Sequence, residues 1–507
     1  MIYSKSAMQD DEKSTDEPLT PLSRAGPFDE AHGSQGGKTG SGEPGLTARE
    51  IPATAVARPR KQRISIFLVL APFLFRLIPC FNTAFWFDEI WSWQISRVVR
   101  YPWEILTNPL AQSDNNHPLN TLWMYLIGDT GNWWLYRLLS LVTGCAMALL
   151  IVRKEQKFSR WGGMAASLLV GLSFPLITYS SEARGYAPML LCAVAGYYLL
   201  RSKQNRAAIF AGLCVIGFLA HATFLHFLLA AIVWVFAERG FKKLWLFAVP
   251  IIFFLFYIWI FLRHIQIGGA PDAAPFKTCA TCLSLLLGGF LTGPWIYLIA
   301  FVSLILIISA LAWIYRQSFA ETVFFFFVIF LVPIITIFLQ YLSPNRSPSI
   351  QVRYLLISLT FCLILLVRYL GAMMGQRSWR RGVAMAILGL ATLGNGYHLG
   401  RFLAVGRGDY RGALEHMAAN SPQGNIAWSS DDAANIYRVN TIMLYYERFL
   451  PAGATIRPSS RPDWLIFNVQ DQTPIPTIQF GTSLYQFDST YPAYGLSGWD
   501  WVLYKKR

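Results

Sequence analysis

Long apolar runs recur along this chain from residue 64 to residue 403. A helix needs about 20 predominantly apolar residues to cross a hydrocarbon layer of ~30 Å, and several runs approach that length. With 54% hydrophobic and 14% charged residues, the chain is too apolar for a soluble multidomain protein. The formal charge of +15 does not point to a nucleic-acid partner, because the basic residues sit in short clusters between the runs. Clusters so placed orient spans, since cytoplasmic loops are enriched in Lys and Arg. The expected fold class is an α-helical polytopic membrane protein.

Spans are expected near 64–81, 133–152, 160–179, 184–200, 206–221, 222–237, 241–262, 294–315, 318–342, 354–371 and 382–403, about eleven transmembrane helices. With that count every basic cluster falls on one side: Arg153, Lys154, Lys157 and Arg160; Arg201, Lys203 and Arg206; Arg239, Lys242 and Lys243; Arg316; and Arg377, Arg380 and Arg381. The positive-inside rule makes that side cytoplasmic. The segment HPLNTLWMYLIGD at 117–129 would form a helix of only about 20 Å, and crossing would move every later cluster outside. It is expected to be re-entrant or interfacial on the outer face.

Residues 1–56, rich in Gly, Ser, Pro, Asp and Glu, form an expected disordered cytoplasmic tail without the apolar core of a signal peptide. The run ARPRKQR then abuts the first span and holds the N-terminus inside. Residues 57–403 make up the membrane domain. From 404 the composition changes: NIAWSS, DWLIFNV and DWVLYKK alternate with turn signals and resemble strands, and ANIYRVNTIMLYYERFL has helical spacing. A small outer-face α/β domain over 404–507 is expected. The cysteines lie mostly within apolar runs; Cys279 and Cys282 form a lone CxxC, read as a local disulfide or two free thiols rather than a zinc site.

The outward segments hold most of the unusual polar residues. In FWFDEIWSWQ, Asp88 and Glu89 open a helix with Trp91, Ile95, Val98 and Val99 on one face and Asp88, Ser92 and Ser96 on another. This is the pattern of an amphipathic helix lying on a membrane surface. Asp88 is either a helix cap or a functional carboxylate. SDNNHPLN brings Asp114 and His117, the histidine suited to a phosphate oxygen, a metal or a backbone carbonyl. In SSEARGYAPM, Glu182, Arg184 and Tyr186 lie at a junction of two spans, where an ion pair either fastens helices or does chemistry. Arg353 in QVRYLL is an interface anchor or an anion ligand. His221 in LAHATFLH reads as a satisfied helix-end histidine. Together these bring acids, a histidine and two arginines to one leaflet, which suits an anionic lipid headgroup.

The order DE after the first span, then HPL, then YSSEARGYA, then RYLL resembles the GT-C fold glycosyltransferases. The closest resemblance is to the branch of protein O-mannosyltransferases and lipid A aminoarabinose transferases, and it covers about residues 64–470. DYRGALEHMAA is similar to the opening of the outer domain in bacterial members. The resemblance implies inverting transfer of a sugar from a polyprenyl-phosphate carrier to an acceptor hydroxyl on protein, lipid or polysaccharide. It implies Asp88 as the catalytic base, Glu89 as a catalytic or positioning acid, and Arg184, Arg353 and His117 around the donor phosphate. Glu182, Tyr186, Asp114 and His221 would support them. The resemblance makes no cofactor certain and allows a divalent cation, although no dense carboxylate cluster calls for a metal. HPLN departs from the two prolines and aromatic of many relatives. The rival reading is a transporter or flippase for a lipid-linked or anionic substrate, which would favour internal repeats and broken helices at the midplane. The bacterial inner membrane is the expected location.

Overall fold

The structure, a computed structural model, describes residues 66–114, 117–202, 206–264, 274–341, 350–469 and 473–507. The expected tail over 1–56, the basic residue Lys203 and the segment SPNRSPS at 343–349 lie outside the described residues. Helices occupy all eleven expected stretches. Among the described residues, five are long and apolar enough to cross a membrane: Trp134–Phe158, Ala222–Arg239, Phe241–His264, Trp295–Tyr315 and Val352–Met374. Arg160–Gly171 and Phe174–Ser180 add a sixth if the pair, bent by 61°, is one span.

Five or six helices meet the length and apolarity of a span, fewer than the eleven expected, because several expected stretches form shorter or broken helices. Ile66–Asn82 has 17 residues, Tyr186–Arg201 has 16 and Ala207–Ala220 has 14. Trp379–Val405 is long enough at 27 residues but is diluted by glycines, Asn395 and His398. The bend in the broken pair follows a π-turn at Ser167–Gly171, and Pro175 then restarts the helix in its first turn. A break inside an apolar layer frees carbonyls that water cannot reach. Arg76 from the first helix satisfies two of them, donating to Gly171 O at 2.7 Å and Val170 O at 3.1 Å.

The outer helices are apolar on both faces. In Trp295–Tyr315, Ile296, Ala300, Ser303 and Ile307 face inward, while Leu298, Phe301, Val302, Ile305 and Ile308 stand exposed. Exposed apolar stripes of this size are stable only against lipid or another apolar surface. Val352–Met374 is the central helix, with 89% of its apolar window buried inside the protein. It approaches the broken helix closely: a Cβ on Gly371 would lie 2.9 Å from the Cα of Gly162, so both glycines permit backbone contact. The stretch 263–293, read as a loop, contains the helix Pro275–Leu286, on which Cys279 and Cys282 are free thiols.

The C-terminal portion is a six-stranded sheet: β1 Asn425–Ser429, β2 Thr455–Pro458, β3 Trp464–Val469, β4 Thr477–Phe480, β5 Ser483–Tyr491 and β6 Asp500–Lys506, in the order β2-β1-β3-β6-β5-β4. The first three are parallel and the rest antiparallel. The helix Ala433–Tyr446 makes the crossover from β1 to β2. The three expected strands are β1, β3 and β6; the edge strands β2 and β4, and β5 beside β4, are largely exposed and lack a legible alternation. The sheet and the membrane helices belong to one unit, Lys61–Arg507.

The aromatics at the start of FWFDEIWSWQ pack against the C-terminal portion. Phe85 and Trp86 are buried in one cluster with Trp428, Trp464 and Trp501 of the sheet. Trp91 meets Tyr437 at 5.9 Å, and Tyr446 Oη both accepts from Phe85 N and donates to Phe85 O at 2.8 Å. Of the expected apolar face, Trp91 packs on the C-terminal portion and Ile95 and Val99 are buried, while Val98 is exposed. The segment at 117–129 contains a helix of ten residues, Pro118–Ile127, too short to cross a bilayer unaided.

Candidate functional site

Asp88 and Glu89 are neighbours with opposite surroundings. Glu89 is fully buried and pairs with the equally buried Arg137 through two bonds, Nε to Oε1 at 2.8 Å and Nη2 to Oε2 at 2.6 Å. Glu89 also accepts from Ala183 N at 2.7 Å and reaches back to Trp86 N at 3.3 Å. The last contact is half of a capping box, so of the two alternatives for Asp88 the capping role falls to Glu89 instead. With both oxygens engaged and no exposed surface, Glu89 is a structural acid and not a base facing substrate. Arg137 further binds the carbonyls of Cys80, Thr83 and Ala84, fixing the chain that leads into the Phe87–Val98 helix.

Asp88, by contrast, keeps 14% of its side chain exposed and faces two cations. Arg353 Nη1 donates to Asp88 Oδ2, and Arg184 Nη2 lies 3.6 Å from the same oxygen. Arg184 Nη1 donates to the Asp88 carbonyl at 2.9 Å. Arg353 stands on a 3-10 turn, Val352–Leu355, and its Nε is buried without a partner among the described residues. Three segments distant in sequence thus converge on one carboxylate.

The loop carrying Arg184 is held almost atom by atom. Besides Ala183 N on Glu89, Ser140 Oγ donates to Arg184 O at 2.7 Å and Gly185 N donates to His117 Nδ1 at 3.0 Å. His117 is fully buried and also hydrogen-bonds the Ala220 carbonyl. Burial first, then the nearby Arg184, His221 and Arg353 charges, hold its imidazole well below the usual histidine range. His117 is therefore neutral at physiological pH and clasps the loop; the phosphate-binding role expected for it gives way to this. Gly185 is required by the same clasp, since a Cβ there would fall 1.8 Å from Ala220 O. Gly185→Ala is expected to displace the loop and lower the thermal unfolding midpoint in detergent by several degrees; an unchanged midpoint would show the loop to be adaptable.

His221 accepts from Thr223 N at 3.0 Å and caps the turn that follows it, as expected. Its ring and that of His117 flank Tyr186, with centroids 5.0 and 4.7 Å away. Tyr186 is buried behind the arginines. Glu182 does not join Asp88. It is fully buried with Arg407 Nε 3.5 Å from Oε1, and burial, partly opposed by Arg407, raises its carboxyl above the usual range. Asp114 ends the Pro109–Asp114 helix, and its side chain is outside the described set. Among the described residues no group of three His, Cys, Asp or Glu is placed to hold a metal ion. Nδ1 of His117 and of His221 is engaged by Gly185 N and Thr223 N.

Sequence reading passed over Arg137 and Arg407, although charged residues in or beside apolar runs are candidate sites by default. Arg407 is fully buried and joins Ser497, Thr178, Ser181 and Thr83. It also missed a second ionic cluster: Arg368 pairs with Glu155 at 2.9 Å and lies 3.6 Å from Glu321, which also pairs with Arg201. Charged residues therefore do not gather at one surface only, and the two clusters lie at opposite ends of the same helices.

No family model, curated protein or solved structure matches the chain.

Proposed function

We propose that this protein is an integral-membrane, inverting glycosyltransferase that moves a hexose or pentose from a polyprenyl-phosphate carrier to an acceptor hydroxyl. The carrying observation is the Asp88 carboxylate set between Arg184 and Arg353 in a partly open site. Two guanidinium groups on one carboxylate leave a local excess of positive charge suited to a phosphate. As the donor enters, its phosphate displaces Asp88 from the arginines, and the freed carboxylate accepts the proton of the acceptor hydroxyl. The hydroxyl oxygen bonds the anomeric carbon while the bond from that carbon to the phosphate oxygen breaks. The arginines take up the charge that grows on the leaving polyprenyl phosphate. Glu89 and His117 position Asp88 and Arg184 without touching the reacting atoms.

The same reading keeps eleven crossings, the shorter helices spanning with their ends shielded by neighbours. The N-terminus is then cytoplasmic and the C-terminal portion outside, in a bacterial inner membrane. The position of Arg153, Lys154, Lys157, Arg201 and Arg239 at helix ends remote from Asp88 supports that orientation. A second reading, a transporter or flippase, draws on the buried Glu155–Arg368–Glu321 cluster, because buried ionic groups between helices also mark transport paths.

Arg353→Ala and Arg184→Ala distinguish the roles. Each removes a charge-assisted contact and is expected to weaken donor binding about 10–100-fold while changing acceptor KM little. Equal losses for donor and acceptor would assign the arginines to structure.

A further inference from the structure

The helices Trp134–Phe158 and Tyr186–Arg201, with the central helix Val352–Met374, carry the Asp88 site at one end and the second ionic cluster at the other. Arg184 and Arg201, like Arg353 and Arg368, are separated by roughly 22–26 Å of helix at 1.5 Å per residue. Beside that second cluster lies a cavity of about 490 Å³, within the range of small-ligand sites. Lys154, Lys157 and Arg201 line it together with the aromatic rings of Phe158, Tyr198 and Trp234.

The charges lining the cavity do not cancel. Its two carboxylates are already paired, Glu321 with Arg201 and Arg368, and Glu238 with Arg239 at 3.7 Å. Glu155 is taken by Arg368 and by Tyr198 Oη at 2.7 Å. Lys154 rests 5.7 Å from the Tyr198 ring centroid, and neither Lys154 nor Lys157 has a carboxylate partner among the described residues. Arg201 Nη1 is buried without a hydrogen-bond partner there. Two ammonium groups and one side of a guanidinium, from two helices, thus line one open pocket beside aromatic rings.

We propose that this cavity is a second binding site, for a phosphate or phosphodiester anion, either free or as a phospholipid headgroup. Three donors from different directions match an anion with several terminal oxygens better than a single carboxylate. The buried Glu155–Arg368–Glu321 cluster is the rigid floor that keeps the lysines free of internal partners.

The test compares the full-length protein with a Lys154→Ala/Lys157→Ala double variant, which leaves the buried ion pairs intact. Both are placed in phosphatidylcholine nanodiscs, with phosphatidylglycerol or with inorganic phosphate added, and bound lipid and phosphate are measured by native mass spectrometry and calorimetry. Only binding lost in the double variant is assigned to the cavity, because Arg184 and Arg353 also attract phosphate. A loss of about 30-fold is expected, at roughly fivefold per lysine. Loss confined to phosphatidylglycerol identifies a headgroup; loss of inorganic phosphate binding identifies a free anion. Binding of neither probe, or equal binding by both proteins, overturns the proposal.

Discussion

Glu89→Ala is expected to remove a large part of the protein's stability. The substitution strands Arg137, fully buried, and removes the acceptor for Ala183 N and Trp86 N together. Breaking a buried pair from one side costs about 3–5 kcal/mol, a large share of a total stability of about 5–15 kcal/mol. Because Arg137 also holds the carbonyls of Thr83 and Ala84, its loss of a counter-charge loosens the entry to the Phe87–Val98 helix. Size-exclusion profiles of detergent extracts and thermal unfolding should both register the loss. A Glu89→Ala protein with the wild-type melting midpoint would mean that water reaches Arg137 and that the pair is not sealed.

Asp88→Asn is expected to behave in the opposite way, folding normally and losing transfer. Asparagine keeps the volume and one acceptor oxygen for Arg353, and the three side chains retain 14%, 13% and 7% exposure for Asp88, Arg353 and Arg184. It cannot take a proton from a hydroxyl, and removal of a general base typically costs 10²–10⁴-fold in rate. The readout is mass spectrometry of glycolipids and glycoproteins from cells carrying the variant in place of the wild type, with protein amount checked in membranes. Wild-type glycans from the variant would remove Asp88 from the base role. The two adjacent acids therefore separate by assay, one failing in stability and the other in turnover.

Much of the site was legible because a charge beside an apolar run is conspicuous. Asp88, Arg184 and Arg353 stand out for that reason, and the structure does bring them together. The division of labour between Asp88 and Glu89 was not legible, since it depends on Arg137, 48 residues away from Glu89. His117 was misread for a related cause: a sequence shows an ionisable ring but not the burial that keeps it neutral. Length and apolarity support five or six of the eleven expected spans, because a break or an early helix end inside an apolar run leaves no mark on its composition. The helical class and three strands were readable from periodicity, whereas the edge strands, with one face open and little burial, leave a weak pattern.

Tyr446 has a consequence for how the protein is made. Its hydroxyl holds Phe85, 361 residues earlier, and completes the cluster on which the Asp88 helix rests. At roughly 5–20 residues per second, a ribosome needs about 20–70 s to travel between them. Throughout that interval the segment from Phe85 to Trp93 is synthesised but lacks its apolar partner. The nascent protein therefore presents a cluster of exposed tryptophans at the membrane surface while later helices insert, a state in which a shielding chaperone has time to act.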